Sequence, residues 1–172
     1  MRKGFVQVYT GNGKGKTTAA LGLAVRAAGA GMKVFIAQFI KSRRTSEHHA
    51  LERFEDSITV RQYGKGLLIG RKPGVADLRA ARKGYEEVRD ALRERQYDLV
   101  IMDEANVAVH CGLLSVEELL DIMQSRPKDV ELVITGRYAD KRIMDAADLV
   151  TEMKEIRHYW SKGTQARRGI EK

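Results

Sequence analysis

Nine residues near the amino terminus, Thr10-Gly11-Asn12-Gly13-Lys14-Gly15-Lys16-Thr17-Thr18, constrain this chain more than any other stretch. They follow an apolar run, Phe5 to Tyr9, and lead into a helical pattern from Lys16 to about Ala28. Gly15, Lys16 and Thr17 match the end of the pattern G-x-x-x-x-G-K-[ST]; Thr10 stands where the first glycine belongs, and Gly11 and Gly13 partly offset that departure. Glycines allow the backbone to turn its N–H groups inward around phosphate oxygens, and the start of the following helix adds partial positive charge. Lys16 supplies a mobile cation and the Thr17 hydroxyl a ligand for magnesium. The expectation is a strand, phosphate-cradling loop and helix; a glycine-rich turn with a chance Gly-Lys-Thr would lack that flanking context.

Further apolar runs rich in Val and Ile alternate with helical patterns, as in a buried parallel sheet with crossover helices. Strands are predicted over Lys33–Ile40, Ile58–Tyr63, Leu99–Met102, Val130–Thr135 and Leu149–Met153. The first helix carries Ala19, Ala20, Gly22, Ala24, Ala27 and Ala28, small enough to lie close against a sheet. Leu78, Ala81, Tyr85, Val88 and Leu92 mark an amphipathic helix over Ala76–Glu94. Ser115 with Glu118 forms a capping box for a helix reaching Gln124, and a shorter helix is predicted near Lys141–Ala147. The segment between Gly64 and Gly74 has an apolar tip, Leu67-Leu68-Ile69, and is a candidate lid or a plain surface turn. The class is α/β, and the length of 172 residues with no linker or repeat suits one domain over 1–172.

Asp103 and Glu104 directly follow the apolar strand Leu99–Met102, where a phosphate-binding α/β protein places the carboxylate that holds magnesium through water. An acidic pair capping the next helix would look the same in isolation. The net charge of +8 invites a nucleic-acid reading, but the basic residues are scattered and aromatics make up only 6%, so platforms for base stacking are scarce. No apolar stretch approaches the ~18 residues of a spanning helix, and no signal peptide is evident. With the single cysteine, Cys111, this favours a cytoplasmic protein without disulfides or a membrane. His48, His49, His110 and His158 show no metal-site spacing and receive no metal role.

Gly11–Thr18, Gln38-Phe39-Ile40-Lys41, Ile134-Thr135-Gly136-Arg137, Asp148 to Met153 and Gly169-Ile170-Glu171 together resemble, in order and spacing, the P-loop class of ATP:cob(I)alamin adenosyltransferases. The resemblance runs from about Phe5 to Glu171. It implies a RecA-like P-loop NTPase fold, a mostly parallel sheet with helices on both faces, and a homodimer. It implies transfer of the 5′-deoxyadenosyl group of ATP to the Co(I) of a reduced corrinoid, with tripolyphosphate leaving and reduced flavodoxin or another reductase supplying electrons. ATP would lie in the loop in the opposite sense to most P-loop enzymes, exposing C5′.

Since the nucleophile is the metal itself, the chemistry needs positioning and charge neutralisation rather than a general base. Lys16 and Glu104 are the candidate catalytic residues. Gly11, Asn12, Gly13, Lys14, Gly15, Lys16, Thr17 and Thr18, with Gln38, Lys41 and Arg137, are the candidate nucleotide- and corrinoid-binding residues. Thr17, Asp103 and Glu104 are the candidate ligands of Mg²⁺ or Mn²⁺. Arg137 is equally compatible with a surface ion pair, and Glu104 with a ribose contact. Family members place bulky residues in the loop after the third strand to keep water from the corrinoid; here Leu67, Leu68 and Ile69 occupy it. A RecA-type ATPase with Glu104 activating water, or a small-molecule kinase, would share the loop and the acidic pair, and their products would be ADP with phosphate or a phosphorylated acceptor.

Overall fold

A computed structural model describes residues 3–66 and 72–171. The chain runs β1 (Val6–Thr10), α1 (Lys16–Gly29), β2 (Val34–Phe39), α2 (Ser46–Leu51), β3 (Ile58–Tyr63), α3 (Val75–Arg93), β4 (Leu99–Asp103), α4 (Ala105–His110), α5 (Val116–Ser125), β5 (Glu131–Thr135), α6 (Lys141–Ala146) and β6 (Leu149–Glu152). Single-turn 3-10 helices follow α2 at Glu52–Phe54 and close the tail at Tyr159–Lys162. The six strands form one parallel sheet in the order β3-β2-β4-β5-β1-β6. This is the α/β class expected, with helices on both faces.

Strand alternation assigns the two faces. Phe35, Ala37 and Phe39 of β2, with Val100 and Met102 of β4, pack under α3, α4, α5 and α6. Val34, Ile36, Leu99, Ile101 and Val133 face the opposite way, where Ala20, Ala24 and Ala27 of α1 and Leu51 of α2 cover them. Both faces of the central strands are therefore dry, which explains their unbroken apolar runs. Because every strand is parallel, all six carboxyl ends emerge along one edge, the place where α/β sheets receive ligands.

Element boundaries fall close to those expected, with informative differences. In α1 the small residues that meet the sheet recur every third or fourth position, at Ala20, Ala24 and Ala27; Ala19 and Gly22 are exposed. Leu78, expected on the apolar face of α3, is 43% exposed, so that face begins at Ala81. The last strand, β6, is exposed along its whole length because it forms the sheet edge. Helices α2 and α4 have no counterpart in the sequence reading: at six residues each, they complete too few turns to establish a period. The candidate lid tip Leu67-Leu68-Ile69 lies outside the described residues.

One contact fixes α3 against the sheet. A Cβ on Gly84 would lie 2.6 Å from Cγ of Tyr63 and 2.9 Å from Cε1 of Phe39, two buried rings that cannot swing aside. Alanine there gains helix propensity of about 1 kcal/mol but overpacks the core by about 1–3 kcal/mol. Gly84→Ala is expected to lower the free energy of unfolding by up to about 2 kcal/mol in chemical denaturation, despite alanine being the better helix former.

Candidate active site

The phosphate loop is shaped by what lies behind it. The chain leaving β6 passes under the loop, where Gly13 N donates to Met153 O at 2.6 Å and Met153 N donates to Thr10 O at 2.8 Å. A Cβ at Gly11 or Gly13 would come within 2.5 or 2.6 Å of that same carbonyl, and one at Gly15 within 3.2 Å of Met153 Sδ. Gly11 and Gly15 also hold φ values of +92° and +123°, which disfavour side chains. The loop therefore needs its glycines for backing against Met153. Helix α1 begins at its far end with no side-chain cap and no acid in its first turn, so the positive end of the helix faces the loop.

Lys16 is buried, and its Nζ donates to Gly11 O and Gly13 O, both at 2.7 Å. Burial pulls its pKa below the usual lysine value, the nearby Arg137 adds to this, and Glu104 and Asp103 oppose it. Its side chain thus holds the loop curled.

Asp103 sits at the end of β4 with none of its surface exposed. Its Oδ1 accepts from Thr17 Oγ1 at 2.9 Å and Thr135 Oγ1 at 2.7 Å. Its Oδ2 accepts from Lys41 Nζ at 2.8 Å and Gln38 Nε2 at 3.1 Å. Four donors from the starts or ends of α1, β2 and β5 thus converge on one carboxylate, the arrangement a buried charge requires. The chain reverses sharply just beyond β2, where Ile40 adopts φ 66°, an unusual conformation for a β-branched residue, and this turn delivers Lys41 to Asp103.

Glu104 also occupies the left-handed region, at φ 61°, and its N–H donates to Thr135 Oγ1 at 3.0 Å. Its half-buried carboxyl is pushed up in pKa, first by burial and then by Asp103, while Lys41, Lys16 and Arg137 pull the other way. These groups border a cleft of about 820 Å³. Lys14 to Thr18, Lys41, Glu104 and Arg137 form its polar side, while Leu21, Val25, Ala50, Leu51 and Ile170 provide apolar surface. A polyphosphate with an apolar-edged group attached matches that division.

The carboxyl-terminal tail closes one end of the cleft. Glu171 accepts from Lys14 Nζ at 2.7 Å and from the backbone N–H of Arg167 at 2.8 Å, and it also bonds the Tyr159 hydroxyl. Lys14 Nζ reaches the same hydroxyl at 2.9 Å. The Arg167 and Lys14 bonds hold the Glu171 carboxyl well below the usual glutamate range.

Comparison with known proteins fits this geometry. The family described as ATP:corrinoid adenosyltransferase BtuR/CobO/CobP matches residues 2–171. The corrinoid adenosyltransferase of Pseudomonas aeruginosa is 35% identical over 170 residues, covering 98% of this chain and 84% of that protein. Those of Escherichia coli K12 and Salmonella typhimurium are each 34% identical over 175 residues, covering 98% of this chain and 86% of theirs. The chain belongs to the ATP:corrinoid adenosyltransferase family.

Within this family member, Lys14, Gly15, Lys16, Thr17, Thr18, Lys41, Glu104 and Arg137 meet at one cleft. Gln38 stands apart, 1% exposed behind Asp103, where it contacts the carboxylate rather than the cleft. Asn12 points to a neighbouring depression of about 780 Å³ shared with Arg137, Tyr138 and Trp160. Thr135, Met153, Tyr159 and Glu171 all contribute to the site without having been assigned a role from sequence. Thr135, Met153 and Glu171 lie within the motifs that carry the resemblance; Tyr159 carries no signal.

Thr135→Val keeps the shape but leaves the Glu104 N–H without its acceptor and removes one donor from Asp103. A loss of about 1–3 kcal/mol in unfolding free energy is expected. Glu104 makes a pH-dependent contribution of opposite sign to that of a paired acid. Its folded pKa is raised, so the folded state binds the proton more tightly, and the ionised side chain penalises folding above that pKa. The penalty disappears as pH falls below the ordinary glutamate value of 4.5. Glu104→Gln should therefore melt above the parent protein near neutral pH, with the gap closing in acid; a gap that widens in acid would contradict the assignment.

Proposed function

We propose that this protein is a corrinoid adenosyltransferase that moves the 5′-deoxyadenosyl group of ATP onto the Co(I) of a reduced corrinoid, releasing tripolyphosphate. The observation that carries the reading is the convergence of the phosphate loop, Lys41, Glu104 and Arg137 on one cleft, in a chain whose family match spans residues 2–171. In the transfer, a cobalt–carbon bond forms at C5′ while the C5′–oxygen bond breaks, and its electron pair leaves on the triphosphate. No proton needs to move. What the protein must supply is alignment of C5′ and stabilisation of the charge gained by the leaving group.

The loop N–H groups from Asn12 to Thr17 and the uncapped start of α1 would hold the triphosphate, with Lys16 and Lys14 neutralising it. For Lys16 this means exchanging its bonds to Gly11 O and Gly13 O for phosphate oxygens. Lys14 would leave or share Glu171, so triphosphate entry and the tail contact compete for the same ammonium. Glu104 and Arg137 border the space beyond the loop, where the ribose and a corrin side chain would be accommodated.

The oxygen donors beside the loop suit Mg²⁺ or Mn²⁺. Thr17 Oγ1 and Asp103 Oδ1 are hard ligands 2.9 Å apart. These two protein oxygens would leave most of an octahedral shell to phosphate oxygens and water. Thr17 and Asp103 would hold it, with Glu104 nearby. Such an ion supplies neutralisation of adjacent phosphate oxygens.

Co(I) must be generated by a strong electron donor, for which we place reduced flavodoxin or another reductase upstream. The same reading makes the chain a single catalytic domain over 1–172 that works as a homodimer in the cytoplasm. Among the described residues no helix is long and apolar enough to cross a membrane.

Anaerobic incubation of the protein with MgATP and chemically reduced cob(I)alamin should yield adenosylcobalamin and tripolyphosphate by chromatography. Lys16→Ala should slow product formation by about 10²–10³-fold, the cost typical of losing one charge-stabilising donor. Formation of ADP and phosphate without adenosylcobalamin would replace this reading with an ATPase or kinase.

A further inference from the structure

His48 is a buried titratable side chain, 7% exposed, that the proposed transfer does not use. It lies on α2, which borders the cleft through Ser46, Glu47, Ala50 and Leu51. Its Nδ1 is 3.0 Å from the backbone N of Thr45 and 2.9 Å from Thr45 Oγ1, and its Nε2 is 2.7 Å from Gln38 Oε1. A backbone N–H can only donate, so Nδ1 accepts and, in the neutral ring, Nε2 carries the proton. Burial holds the ring pKa below the ordinary histidine value and so favours that neutral form. Nε2–H then donates to Gln38 Oε1, which leaves the amide nitrogen of Gln38 to donate to Asp103 Oδ2 at 3.1 Å. The chain of bonds runs in one direction from Thr45 through His48 and Gln38 to Asp103.

We propose that His48 is a positioning residue for Asp103: by fixing the orientation of the Gln38 amide, it sets the carboxylate that faces Thr17 and ties that setting to the placement of α2. A rotated Gln38 amide would turn its carbonyl oxygen toward Oδ2, placing two acceptors face to face. The Asp103 side chain would then be held by Lys41 alone at that oxygen. This rests on the reading of Thr17 and Asp103 as the magnesium site.

The test separates the two nitrogens of the ring. His48→Asn retains a short amide able to serve Thr45 but too short to reach Gln38; His48→Gln retains an N–H able to reach Gln38 in place of Nε2. ATP affinity is measured by calorimetry with Mg²⁺ and with EDTA, for both variants and the parent, with thermal unfolding recorded alongside. The expected result is that His48→Asn loses about 10–100-fold of the affinity gained from Mg²⁺, as for partners of metal ligands generally, while affinity in EDTA is unchanged. His48→Gln should retain most of the gain. Equal losses with and without Mg²⁺, an unchanged Mg²⁺ gain in His48→Asn, or a loss confined to His48→Gln would overturn the proposal. An ATP affinity independent of Mg²⁺ in the parent would instead overturn the metal reading itself, and the proposal with it.

Discussion

The buried carboxylate of Asp103 is the interaction on which the site depends. An ionised group with no exposed surface is tolerated only when donors replace its water, and here Thr17, Gln38, Lys41 and Thr135 do so. Those donors belong to three separate stretches of chain, α1, the β2 exit and β5. The cost of leaving the charge unpaired thus penalises any shift of α1, the β2 exit or β5 relative to β4. The same bonds that make the charge affordable hold the phosphate loop, through Thr17, in register with the acidic strand.

A second constraint works from the other side of the loop. Met153, at the exit of an edge strand exposed on every residue, presses its carbonyl against Gly11 and Gly13. An edge strand contributes little to the core, yet its exit determines how closely the loop can curl. The tail adds a third layer through Glu171 and Lys14, so the segments that finish the chain are packed around one of its first turns. Left-handed backbone at Ile40 and Glu104 lies at this same edge, where the surrounding hydrogen bonds can sustain it.

Much of the fold was legible in the sequence because parallel strands buried on both faces need unbroken apolar runs, because α3 is long enough to display a period, and because α5 opens on a capping box. Helices α2 and α4 were not, being too short. The site divided in the same way. Lys16, Thr17 and Asp103 were readable because the spacing of a phosphate loop and the end of an apolar strand restrict where they can be. Gln38 was identified, but its place behind the carboxylate rather than at the cleft was not. The hydrogen bonds of His48 left no trace, since a six-residue helix has no period that would mark one of its histidines as buried.

The sequence by itself determined the class of fold, the glycine loop between the first strand and helix, the acidic strand end and the family resemblance, all of which rest on local order: periodicity, adjacency and residue type within a few positions. Only the tertiary structure decided which donors satisfy Asp103, why three glycines crowd against Met153, and that Glu171 meets Lys14 across the length of the chain. Those contacts join residues far apart in sequence. They are set by the order of strands in the sheet and by the need to pair every buried polar group, neither of which is written in any single segment.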